Sequence, residues 1–225
     1  MCNLCYLLII SSFCGIIRTA ERNINMKKLS IRQILQVLYY IQHNAPSGSR
    51  NKDIMYLLKM VFFAVRYHLR NYGAPFLNVT FYAMGNGPVA SEIKDILEHK
   101  MPSNCDVSDA QFLDEIEAVG DYDYEIKEQD VDELSSSFIE SLDFALQNFG
   151  TFPPFTLSDI SHSYPEWKKY EKTLTEKQAK RVFMHFEDFF DDPEEMKIIS
   201  EDPFADDKAF LQTLKQDYIE NAVTC

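Results

Sequence analysis

Residues 81–97 read FYAMGNGPVASEIKDIL. An aromatic, β-favouring run meets Gly85-Asn86-Gly87-Pro88, and a helical pattern then begins. Whether the glycines cradle a phosphate or only turn the chain separates a nucleotide-binding fold from other classes. A dinucleotide loop needs G-x-G-x-x-G with free backbone N–H groups at a helix start. Here Pro88 removes one donor, no third glycine follows, and no Walker lysine is present. The stretch is therefore read as a strand-to-helix joint whose glycines take positive φ. Residues 76–84, FLNVTFYAM, supply the strand. Pro88 occupies the first turn of the helix, where a missing N–H costs nothing, and Val89, Ile93, Ile96 and Leu97 form that helix's apolar side.

Working outward, Ser30-x-x-Gln33 is a capping box, followed by Ile31, Ile34, Leu35, Leu38 and Ile41 at helical spacing. Pro46 and Gly48 end this helix. A longer helix runs from about Asp53 to Asn71. Its apolar stripe is widened by Phe63 and Tyr67, which makes it central and buried on most sides; Gly73 and Pro75 stop it. Ser108-x-x-Gln111 is expected to cap a short helix. Gly120-Asp121 lies between two short runs that can pair as a hairpin. Leu134 to Phe149 returns to helix, ended by Gly150 and Pro153-Pro154. Thr156 is expected to cap a short helix, and Thr175-x-x-Gln178 to start another through KQAKRVFMHFEDFF. From Glu187 to Asp207 only Lys197 opposes the carboxylates, the pattern of a loosely packed linker. A last helix, Asp206 to Ala222, places Phe210, Leu211, Leu214 and Tyr218 on one side.

The 225 residues suit one domain with an appended segment, and a formal net charge of −13 argues against a nucleic-acid phosphate surface. An acidic chain suits a basic protein partner, or plain solubility. The cysteines form no disulfide framework, which is the pattern of a reducing compartment, and the lone Cys2-x-x-Cys5 lacks the further ligands zinc needs. The apolar run Tyr6 to Ile17 is too short to span a bilayer, no Lys or Arg precedes it, and no cleavage site follows. Residues 1–25 are read as a misplaced start or an extension outside the core, because Met26-Lys27-Lys28 resembles an ordinary bacterial N-terminus; a membrane or export signal is the alternative, since the apolar run has the length of a signal-peptide core.

Catalytic and metal signatures are sparse. His43, His68, His99, His162 and His185 are scattered, with no HExxH and no shared helical face. His162 stands out, because SDISHSYPEW combines polar groups with Trp167. Its expected role is a hydrogen bond to local backbone that fixes the loop. The acidic runs lack EF-hand spacing. No catalytic residue, metal ligand or cofactor is assigned. Asn78-Val79-Thr80 matches a glycosylation acceptor, which has no meaning in a reducing cytosol.

Two blocks carry a resemblance. The first, Ile54 to Leu97, contains Lys59, Met60, Phe62, Phe63 and Ala64, then Tyr72, Gly73 and Pro75, then Phe81, Ala83, Gly87, Pro88 and Val89. The second, Ser135 to Tyr170, contains Phe149, Gly150, Thr156, Leu157, Ser161, His162 and Trp167. Their order and spacing resemble the SocA-like antitoxin family, the Panacea domain, which also includes phage-associated GepA-type proteins. The resemblance covers residues 26–192, with Val65 where the family commonly has an acidic residue; residues 193–225 form an acidic linker and C-terminal helix outside it. It implies an α+β fold: a mostly helical single domain with a small antiparallel sheet. It implies a cytoplasmic, non-enzymatic antitoxin that neutralises a toxin encoded by an adjacent gene. One branch of the family delivers the toxin to a cytosolic protease. No cofactor, nucleic acid or membrane partner is implied. Phe189, Phe190 and Phe204 are candidate partner-binding anchors among the carboxylates, with pinning of the segment to the protein's own core as the competing role. A hydrolase or nucleotide-binding enzyme using the His162 region is the alternative function.

Overall fold

A computed structural model describes residues 29–224; the expectations for residues 1–25 lie outside them. The helix that the pattern made central is the axis of the molecule. This helix, Ile54–Tyr72, follows α1 (Ile31–Asn44) and is labelled α2. Every residue from Tyr56 to Arg66 is buried, as a helix apolar on nearly all sides requires. Its ends carry the expected stops. Asp53 accepts the Met55 and Tyr56 N–H groups at 2.8 and 3.2 Å, and Gly73 closes the other end at φ 71° with its N–H on the Leu69 carbonyl. Ser30 caps α1 through the Gln33 N–H at 3.2 Å. The helix α4 (Ser136–Phe149) lies along α2, with Phe63 stacked on Phe149 at 3.9 Å between centroids.

The joint differs from its reading. β1 (Phe81–Met84) turns through Gly85-Asn86 and pairs antiparallel with β2 (Gly87–Ala90). The following helix, α3, starts only at Ser91 and ends at Leu97. Pro88 is thus a strand residue, and the N-terminal half of the expected strand, residues 76–80, makes no ladder. The Ser91 N–H reaches the Thr80 carbonyl at 2.9 Å. With that bond fixing the alternation, Pro88 falls at a position facing away from β1, where its missing N–H breaks no ladder bond. Of the two glycines only Gly87 takes a positive φ, 93°.

A 3-10 turn (Val107–Glu115) follows α3, capped by Asp106 rather than Ser108 because the Asp106 carboxylate accepts the Ser108 N–H. β3 (Ile116–Ala118) and β4 (Tyr124–Ile126) form the expected hairpin. After α4 come α5 (Pro154–Ser161), α6 (Pro165–Lys168) and α7 (Glu171–Thr175). Thr156 lies inside α5, not at its cap. Thr175 ends α7 instead of starting a helix, and its hydroxyl donates to the Glu171 carbonyl at 2.9 Å. The chain then turns through Lys177 at φ 56° and enters β5 (Arg181–Phe183), which pairs antiparallel with β1. The alternating exposure of Arg181, Val182, Phe183 and Met184 is a period of two that the helical reading overlooked. The sheet order is β2-β1-β5. The architecture is α+β, mostly helical, with a small antiparallel sheet.

The acidic stretch is no loose linker. Phe189, Phe190 and Phe204 are only 0%, 1% and 2% exposed. Phe189 meets Phe62 and Phe81 at 5.7 Å each, and Phe204 meets Tyr164 at 5.5 Å. In this arrangement the rings fill the core, so they offer no anchor to a partner. The last helix, α8 (Lys208–Thr224), packs through Leu211, Leu214 and Tyr218, while Phe210 faces solvent. Among the described residues, no helix is long and apolar enough to cross a membrane.

Candidate functional site

The residues carrying the resemblance converge on the β1–β2 hairpin. Lys59 is buried, and its Nζ donates to the Pro88 carbonyl at 2.8 Å. The Trp167 indole N–H donates to the Met84 carbonyl at 2.9 Å. Ser158 Oγ donates to the Asn86 carbonyl at 2.9 Å. Three elements distant in sequence, α2, α5 and α6, thereby donate to backbone carbonyls at and beside the turn. Gly87 lies at the centre. A Cβ built there would sit 2.5 Å from Ser161 Oγ and 2.7 Å from Lys59 Nζ. The glycine is thus required twice, by its φ and by the space.

His162 lies against this cluster. Its ring stacks on Trp167 at 3.6 Å between centroids and 16° between planes. The expected backbone bond from the ring is absent at Nε2, a buried atom without a partner among the described residues. The Trp167 face holds the imidazole instead, since planar π-systems stack favourably. Burial, and then the charge of Lys59, hold its pKa down at about 4. Burial pushes the Lys59 amine down to about 7. His162 is therefore neutral at neutral pH, as a low-dielectric site favours, while Lys59 retains part of its charge.

The other signature residues serve elsewhere. Phe81 and Ala83 are core residues of β1, and Val89 is a half-buried residue of β2. Gly73 and Pro75 terminate α2. Tyr72 is largely exposed and donates to Glu140 at 2.6 Å.

Sequence reasoning passed over Arg66, Arg70 and Glu166. Arg66 and Glu166 are both fully buried, with Nη1 2.7 Å from each carboxylate oxygen. Burial pushes the Glu166 carboxyl up, against the opposing pull of the Arg66 guanidinium. Arg66 also donates to the Asp191 carbonyl at 2.7 Å and lies over the Tyr164 ring at 4.3 Å. Arg70 is fully buried and fans out over the acidic segment. It donates to the Phe190 and Phe204 carbonyls at 3.0 and 2.9 Å, and to Asp192 at 2.7 Å and Asp206 at 3.3 Å. The signal was available: Lys59, Arg66 and Arg70 follow one another at two turns and then one turn, a basic line on an apolar helix. Those cations hold the hairpin at one end and the acidic segment at the other.

Chemically, the cluster locks a turn. Ser161 Oγ donates to the Ser158 carbonyl at 2.6 Å, and His162 faces an indole rather than a hydroxyl. A nucleophile needs a base within hydrogen-bond reach, which neither group is for the other in this arrangement. Among the described residues no group of three or more His, Cys, Asp or Glu could hold a metal ion. A cleft of about 380 Å³ flanks the hairpin, with Lys59, Asn86, Val89, Tyr122 and Tyr124 in its wall. A second, of about 660 Å³, lies between His162, Lys168, Asp192, Glu194 and Lys197.

Comparison with known proteins adds one finding. The model of the family described as Antitoxin SocA-like, Panacea domain, matches residues 57–168. Neither curated proteins nor solved structures matched the chain. The matched span begins just before Lys59, ends just after Trp167, and contains every side chain of the hairpin lock. Through residues 57–168 the chain belongs to the antitoxin SocA-like family, the Panacea domain.

Proposed function

We propose that this protein is the antitoxin of a toxin–antitoxin pair, acting in the cytoplasm by binding a toxin encoded next to it. Membership of an antitoxin family through residues 57–168 carries the reading. The interior supports a binding role: the signature residues rigidify a turn and present no paired base and nucleophile. A rigid, pre-organised scaffold lowers the ordering cost of binding. The chain's formal charge of −13 favours a toxin with a basic face and salt-sensitive association.

Co-expression tests it. The product of each adjacent gene is induced alone and together with the full chain, and growth is followed. Growth arrest relieved by the full chain, together with co-purification of the pair, is the expected result. Soluble expression of the chain with no relief for any neighbouring product would sink the reading.

A further inference from the structure

We infer that the outer edge of β5 receives an extended, acidic segment of the partner, which joins the sheet as a further strand. This rests on the antitoxin reading. The backbone defines the edge. The Met184 N–H bonds the Phe81 carbonyl at 3.0 Å, and β5 runs antiparallel to β1 in the Ala83↔Val182 register. In an antiparallel ladder the facing direction alternates. Val182 and Met184 therefore point at β1, while the N–H and C=O of Arg181 and Phe183 point away from it. No described residue bonds those outward groups. An unpaired row of this kind is complementary to one thing, another extended strand.

The side chains narrow the occupant further. Phe183 is 47% exposed and meets Tyr82 edge-on at 6.1 Å. Arg181 lies over the same Tyr82 ring at 4.6 Å. Tyr and Arg are the residue types that dominate binding hot spots. Lys177, Lys180 and Arg181 are exposed, and none has a carboxylate at ion-pair distance among the described residues. In an acidic chain, unpaired cations gathered beside an open edge mark a local reversal of charge. That reversal attracts an acidic strand and repels a second copy of β5, which would bring the same cations. The opposite edge of the sheet is unsuitable, because β2 carries Pro88 and the Pro88 carbonyl is taken by Lys59.

The experiment uses the full chain and the adjacent gene product that it relieves. Amide exchange is read residue by residue, free and in the complex. The Arg181 and Phe183 amides should exchange freely in the isolated protein and become protected in the complex, while Val182 and Met184 are protected in both. Phe183→Pro deletes an outward N–H without touching the bonds to β1. Lys180→Glu with Arg181→Glu reverses the charge at exposed positions that need not fold anew. Each should weaken binding about tenfold or more. If Phe183→Pro fails to fold, the charge reversal decides. Binding unchanged in the folded variants, with Arg181 and Phe183 still exchanging freely in the complex, overturns the edge and leaves the antitoxin reading intact. Protection in the free full chain that vanishes when the chain starts at Met26 gives the edge to residues 1–25 and overturns the inference. So does protection that grows with protein concentration alone, which gives it to a second copy. No relief by the unaltered chain overturns both readings together.

Discussion

Replacing Arg70 with Met should release the acidic segment from the body of the protein. Met retains an apolar stem inside α2 but removes every donor. The Phe190 and Phe204 carbonyls then lose bonds of 3.0 and 2.9 Å. A buried acceptor left without a donor costs about 1–3 kcal/mol. Asp192 and Asp206 are about a third exposed, so they can turn to water and add little. Relief of the guanidinium's own desolvation offsets part of the loss. The net should be about 3 kcal/mol, which in a chain of this size lowers Tm by about 6–12 °C. The loss should also be local, because the orphaned groups all lie between Phe189 and Asp206. Lys197 is the lone basic residue from Glu187 to Asp207, so tryptic cleavage after Lys197 reports opening of this segment. A 3 kcal/mol fall in opening energy corresponds to roughly a hundredfold faster cleavage when opening precedes the cut. Arg70→Lys should resemble Arg70→Met, since one ammonium cannot replace the planar fork across so many acceptors. Unchanged cleavage after Lys197 in Arg70→Met, with Tm within a degree or two of the parent, would refute the claim that this arginine holds the segment.

Gly87→Ala should destabilise the chain by about 3 kcal/mol, from a strained positive φ and displacement of Lys59 from the Pro88 carbonyl; a melting curve superimposable on wild type would mean the turn yields freely. Trp167→Phe should cost about 1–2 kcal/mol for the lost bond to Met84, and Trp167→Ala about 3–5 kcal/mol, so equal losses in urea titrations would show the indole N–H to be unimportant. His162 is held at about 4 against an ordinary 6.5, so between those values the unfolded chain binds more protons than the folded one. Stability should be present in full above pH 6.5 and fall as pH drops towards 4; His162→Gln should flatten that slope, and an equally steep acid limb in the variant would remove His162 as its source.

Local chemistry determined much of this protein from its sequence alone. Ser30 and Asp53 cap helices because a side-chain oxygen lies within reach of N–H groups two or three residues ahead. Gly73 ends α2 because a left-handed residue needs no distant partner. The apolar breadth of Ile54–Tyr72 marked the central helix, and Gly120-Asp121 marked a hairpin, since both signals are contained in a single short window. The spaced blocks around Lys59, Gly87, His162 and Trp167 also pointed to the antitoxin family. What the sequence left open depended on partners far along the chain. Pro88 entered a strand because β1 and the Lys59 ammonium could satisfy Gly87–Ala90 there, which no window around Pro88 reveals. Residues 181–183 became a strand because β1 had an open side. The acidic run from Glu187 was pinned because Arg66 and Arg70, more than a hundred residues earlier, project from one face of a buried helix. Carboxylates read as solvated until the cation that meets them is located, and the aromatic rings between them had a core to fill. Only the packed chain decides such pairings, because a buried charge or an unpaired carbonyl is tolerable only where the fold delivers its complement.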